Sequence, residues 1–63
     1  MMNYLWAIFV VTALTDGSGD YKYTEIQGRY ATRLDCEFAA SRFAHENEPW
    51  ADNETVWCFK VDE

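Results

Sequence analysis

The chain has 63 residues, 49% of them hydrophobic and 17% aromatic, which admits one small domain over residues 1–63 and excludes barrels, doubly wound sheets and kinase scaffolds. Eleven acidic residues against five basic ones give a formal charge of −6, and a surface with that excess repels phosphate backbones, so no direct nucleic-acid partner is expected. The same excess keeps a small apolar chain soluble and suits a protein partner with a basic surface.

So short a chain buries a smaller share of its surface than a larger domain does. Extra stability is expected from the aromatic residues, from a bridge between Cys36 and Cys58, or from association. Tyr4 to Leu14 is almost wholly apolar. No Lys or Arg precedes it, it is short for a signal peptide, and it falls below the roughly 18 to 20 residues that cross a bilayer as a helix. The expectation is a soluble protein with no membrane partner, cytoplasmic in the producing or infected cell.

The segment from Asn3 to Ala13 carries no charge and is rich in β-branched and aromatic residues. Read as a strand, it points Tyr4, Trp6, Ile8 and Val10 one way and Leu5, Ala7, Phe9 and Val11 the other, so both faces are apolar. Such a strand belongs in the middle of a sheet. The Asp-Gly and Ser-Gly steps of residues 14–20 are turn chemistry, because glycine tolerates positive φ. A second strand, Tyr21 to Tyr30, includes Lys22, Glu25 and Arg29, charges that blunt an exposed edge.

Thr32 is placed to cap a helix from Arg33 to Glu46, with Asp35 at its third position. Glu48-Pro49 marks its end, since the residue before proline is pushed out of the helical region. The last strand runs from Glu54 to Val61. The order is ββαβ, an α+β fold with a three-stranded antiparallel sheet in order 2-1-3 and one helix packed on one face.

At about 100° per residue, Cys36, Ala39, Ala40, Phe43 and Ala44 form the helix stripe that faces the sheet. Leu34 and Phe38 project almost opposite and are candidate contact residues. One helix covers only one sheet face. If Cys58 faces the helix, then Trp57, Phe59 and Val61 lie on the other face beside one row of the first strand, with Tyr21 and Tyr23 near them. That much aromatic surface calls for a covering chain, either another protein or a second copy in a homodimer. The candidate partner-binding residues are therefore Leu34, Phe38, Trp57 and Phe59.

Reactive chemistry is mostly excluded. Cys36 and Cys58 are either bridged, which is worth about 3 kcal/mol in an oxidising compartment, or a pair of small buried thiols in a reducing one. His45 lies on the opposite side of the helix from Cys36, which argues against a Cys-His nucleophile or a zinc site. Asp16, Ser18 and Asp20 copy the first spacings of a calcium loop, but Tyr21 replaces its glycine and Gln27 its bidentate glutamate, so a hairpin turn is favoured. Gly17 and Gly19 lack the lysine and helix of a phosphate loop. Asn53-Glu54-Thr55 matches a glycosylation triplet that matters only in an exported eukaryotic protein. Glu46 and Glu48 read as solvated, and no catalytic residue, metal or cofactor is expected.

The residues point to a non-catalytic, acidic protein-binding module. In size, acidity and compactness the chain resembles the small proteins that viruses make to block host enzymes or defence systems, and that resemblance implies an inhibitor. The alternatives are an accessory or structural subunit of a larger assembly and an exported domain stapled by Cys36 and Cys58.

Overall fold

A computed structural model describes residues 4–62. Its elements are β1 (Tyr4–Ala13), β2 (Tyr21–Tyr30), α1 (Arg33–Glu46) and β3 (Glu54–Asp62). The sheet has the order β2-β1-β3, and β1 pairs antiparallel with both neighbours. The uncharged strand is thus the central one, and the strand carrying Lys22, Glu25 and Arg29 is an edge, as the residue patterns predict. Asn3, which the sequence places in the first strand, lies outside the described residues.

The β1–β2 turn closes on itself. Leu14 N–H donates to the Asp20 carbonyl at 2.9 Å, Ser18 N–H to Asp16 Oδ1 at 2.9 Å, and Asp20 N–H to Ser18 Oγ at 3.2 Å. Gly17 and Gly19 take φ of 85° and 78°, the left-handed region that this tight path requires. The Asp16 carboxylate and Ser18 hydroxyl are therefore spent on turn amides.

Thr32 caps α1 from an extended backbone, its Oγ1 accepting from Asp35 N–H at 3.1 Å. At the other end, the Asn47 backbone and side-chain amides both donate to the Phe43 carbonyl. Trp50 folds back so that Nε1 donates to the Ala44 carbonyl at 2.7 Å, with its ring 5.8 Å from that of Phe43. Two carbonyls of the last turn are thereby satisfied and the apolar end of the stripe is covered. The chain then enters β3 through Asn53, which exchanges bonds with Ala13: Ala13 N–H donates to the Asn53 carbonyl and Asn53 Nδ2 to the Ala13 carbonyl, each at 2.8 Å.

Register fixes which side chains share a face. Opposite Ile8 is Cys58, opposite Val10 is Val56, and opposite Trp6 are Lys60 and Tyr30. Because Cys58 is bridged to Cys36 of α1, this is the helix-covered face. Opposite Ala7 are Phe59 and Arg29, and opposite Val11 is Tyr23, which together define the other face. Between Glu25 and Arg29, β2 carries two residues more than β1 does between Ala7 and Phe9. An insertion of two leaves the alternation intact, so Glu25 and Arg29 stay on one face. Gly28 lies in this irregularity at φ 112°.

The buried apolar residues are Ala7, Ile8, Val11 and Cys36. The molecule is a slab of 41 × 26 × 15 Å with a radius of gyration of 12.8 Å, against about 11 Å for a compact chain of this length. Among the described residues no helix is long and apolar enough to cross a membrane.

Candidate functional site

The helix-covered face is completed within the chain. Cys36 is fully buried, Ala39, Ala40, Phe43 and Ala44 are half-buried, and each belongs to the stripe read from the helical period. Where the helix does not reach, the Trp6 ring is covered by the Arg33 guanidinium at 5.9 Å and the Lys60 ammonium at 5.7 Å, and Lys60 also stands 4.7 Å from the Tyr4 ring. Cys36 and Cys58 form a disulfide with their Cα atoms 6.2 Å apart, so the layer is stapled.

Among the described residues, no second layer covers the other face. β2 contributes Tyr21 and Tyr23, β1 contributes Phe9 and Val11, and β3 contributes Trp57, Phe59 and Val61. The rings lean on one another: Phe9 and Phe59 meet edge to face at 5.4 Å, Tyr23 and Phe59 at 6.2 Å, and Tyr21 and Tyr23 at 6.5 Å. Tyr23 and Phe59 come from the two outer strands, so their contact bridges β1 and helps to bury Val11. This self-covering is incomplete. Tyr21, Tyr23, Trp57 and Phe59 remain 57%, 58%, 55% and 40% exposed. Two shallow hollows flank the Tyr23–Phe59 bridge, one floored by Val11 and the other by Phe9.

At the far end of this face the polar pair closes the surface. Arg29 Nε meets Glu25 Oε2 at 3.2 Å, and its Nη1 donates to the Asp62 carbonyl at 3.2 Å, so the guanidinium reaches from β2 across to β3. Ala7, flanked by Arg29 on one strand and Phe59 on the other, is fully buried. Glu25 and Arg29 are the charged residues that register places on this face, and they neutralise each other. Among the described residues the acidic excess lies mainly in the loops, at Asp16, Asp20, Glu48 and Asp52, while α1 and the helix-covered face carry nearly balanced charges.

Of the four contact residues named from the sequence, Trp57 and Phe59 stand together on the open face. Leu34 and Phe38 lie on the outer side of α1, 62% and 69% exposed. They form a separate ridge, beside a shallow hollow lined by Asp35, Ser41, Arg42 and His45. Arg33 pairs with Glu37 at 3.2 Å along this exposed side. Tyr21 and Tyr23 complete the open-face cluster; their alternation opposite β1 was the signal that places them there.

The chemistry of the remaining candidates is plain. No polar or charged residue is buried among the described residues, and no three His, Cys, Asp or Glu side chains come together there. Ser18, through its hydroxyl and then its backbone amide, holds the Asp16 carboxyl below its ordinary value. His45 Nδ1 lies 3.8 Å from Glu48 Oε1 on an exposed surface. Asn53 Nδ2, the atom a glycan would need, is engaged by Ala13. No family model, no curated protein and no solved structure matches the chain.

Proposed function

We propose that this protein is a non-catalytic protein-association module whose working surface is the open sheet face around Tyr21, Tyr23, Trp57 and Phe59. The observation that carries the reading is the contiguity of four half-exposed rings around one hollow, on a sheet face that has no second layer among the described residues. Large rings set on strands present a rigid surface, which loses little side-chain freedom when a partner covers it. A disulfide that occupies both thiols leaves neither free for thiol chemistry.

An inhibitor and an accessory subunit would use the same surface, the first by blocking its partner's activity and the second through a permanent apolar contact. A partner with a basic surface would instead meet the loops that carry the acidic excess, at Asp16 and Asp20 or at Glu48 and Asp52. The test is co-purification of any protein, including a differently tagged copy of this chain, with wild type, Trp57→Asp and Phe59→Asp. Retention by wild type and loss by both variants, with unchanged circular dichroism, is the expected result. Equal retention by all three overturns the reading.

The Cys36–Cys58 bridge favours a second reading of where the module works, as a stapled domain in an oxidising compartment rather than in the cytoplasm. Counting thiols in denatured protein from its native source decides between them: none free supports the oxidising compartment, two free the cytoplasm.

A further inference from the structure

Resting on that reading, we infer that the occupant of the open face is a second copy of this chain, packed sheet against sheet about a two-fold axis with the two helices outside. The first support is area. The molecule exposes 4902 Å², whereas a compact monomer of 7.4 kDa exposes about 4,200 Å². The excess of about 700 Å² is close to the roughly 800 Å² per partner that a standard interface covers. A flat molecule 15 Å thick, with four half-exposed rings on one face, contributes to that excess.

Charge is the second support. Two molecules of net charge −6 repel each other wherever their acidic sides meet. Among the described residues the open face carries no net charge, because the charged residues that register places there form the internal Glu25–Arg29 pair. Face-to-face packing centres the contact on this balanced surface instead of on the acidic loops at Asp16, Asp20, Glu48 and Asp52. A strongly basic partner, by contrast, finds no acidic excess among the described residues of this face to pair with.

Shape is the third. The Tyr23–Phe59 bridge stands between the Val11 hollow and the Phe9 hollow, so one surface carries both a ridge and the depressions that receive one. A two-fold contact requires such self-complementarity, residue i meeting j and j meeting i. Sheets about 10 Å apart would interdigitate these rings as they do inside a sandwich.

The experiment is light scattering of the oxidised full chain over a wide concentration range, with Trp57→Asp, Tyr21→Lys and Phe38→Asp as variants and circular dichroism as the folding control. Tyr21 stands half-exposed beside the turn, so Tyr21→Lys keeps the test open if Trp57→Asp fails to fold. The inference expects wild type and Phe38→Asp at twice 7.4 kDa, and self-association weakened by more than about tenfold in the two face variants. A wild type that stays monomeric, or a dimer that Phe38→Asp breaks and the face variants leave intact, overturns it. A monomer that still retains another protein through Trp57 overturns the second copy alone. A monomer whose retention ignores Trp57 overturns the module reading as well.

Discussion

The two faces of this sheet share a central strand and the same kinds of residue, yet they end in opposite states. On one, Ile8 is sealed under α1, the Cys36–Cys58 bridge pins the cover, and cations lie over the Trp6 ring where the helix runs out. On the other, Val11 is roofed only by rings that remain half in water. Alternation along β1 made both faces apolar, and a chain this short supplies a single covering layer. A side-chain pattern thus states what must be buried, while chain length decides how much the molecule can bury alone.

This contrast can be broken from the helix side. Reducing the Cys36–Cys58 bridge releases a covering layer that rests on one helix, and the chain-entropy treatment gives a loss of about 3 kcal/mol for a separation of 22 residues. Urea unfolding with and without reductant should show that drop, measured at one protein concentration so that the mass-action contribution of association is the same in both. An unchanged midpoint would mean that the staple adds nothing to the helix-covered face.

A smaller effect sharpens the same contrast. Thr32→Ala removes the acceptor for Asp35 N–H and should cost about 1 kcal/mol while leaving self-association unchanged, because the cap serves the helix on the other side of the sheet. Parallel unfolding and light scattering check both halves of that statement. A change in association would couple the two faces and contradict their independence.

The smallest effect belongs to the turn. Ser18 lowers the Asp16 pKa in the folded chain, so the stabilisation from that carboxylate is complete above its unfolded value and is lost as pH falls through the lowered folded value. Unfolding midpoints taken from about pH 5 downward should therefore fall more steeply for wild type than for Asp16→Asn. Parallel curves would show that the turn bonds do not favour the charged form.

Much of the fold was legible because its signals are local. The turn residues, the Thr32 cap, the stripe of Cys36, Ala39, Ala40, Phe43 and Ala44, and the charge-free central strand can each be read within a few residues, and they place β2 and α1 at the bounds the structure has. The last strand extends one residue beyond Val61, to Asp62. What escaped depends on distant partners. Trp50 reads as a loop residue until Phe43 and Ala44 lie beneath it, and Asn53 reads as part of a glycosylation triplet until Ala13 engages its amide. Arg29 reads as an edge charge; the two-residue insertion in β2 and the proximity of Asp62 turn it into a tie across the face.

The open face itself was half legible. Trp57 and Phe59 follow from placing Cys58 under the helix, but the ring bridge from Tyr23 to Phe59 required the register of both outer strands. Leu34 and Phe38 share the exposure of these rings but stand on the other side of the molecule, which makes them an internal control.

Hydroxyl-radical footprinting read by mass spectrometry, repeated as protein concentration is raised, tests the central claim most directly. The account predicts that Tyr21, Tyr23, Trp57 and Phe59 become progressively protected while Leu34 and Phe38 stay equally reactive. Rings that label alike at every concentration, or protection confined to Leu34 and Phe38, would contradict it.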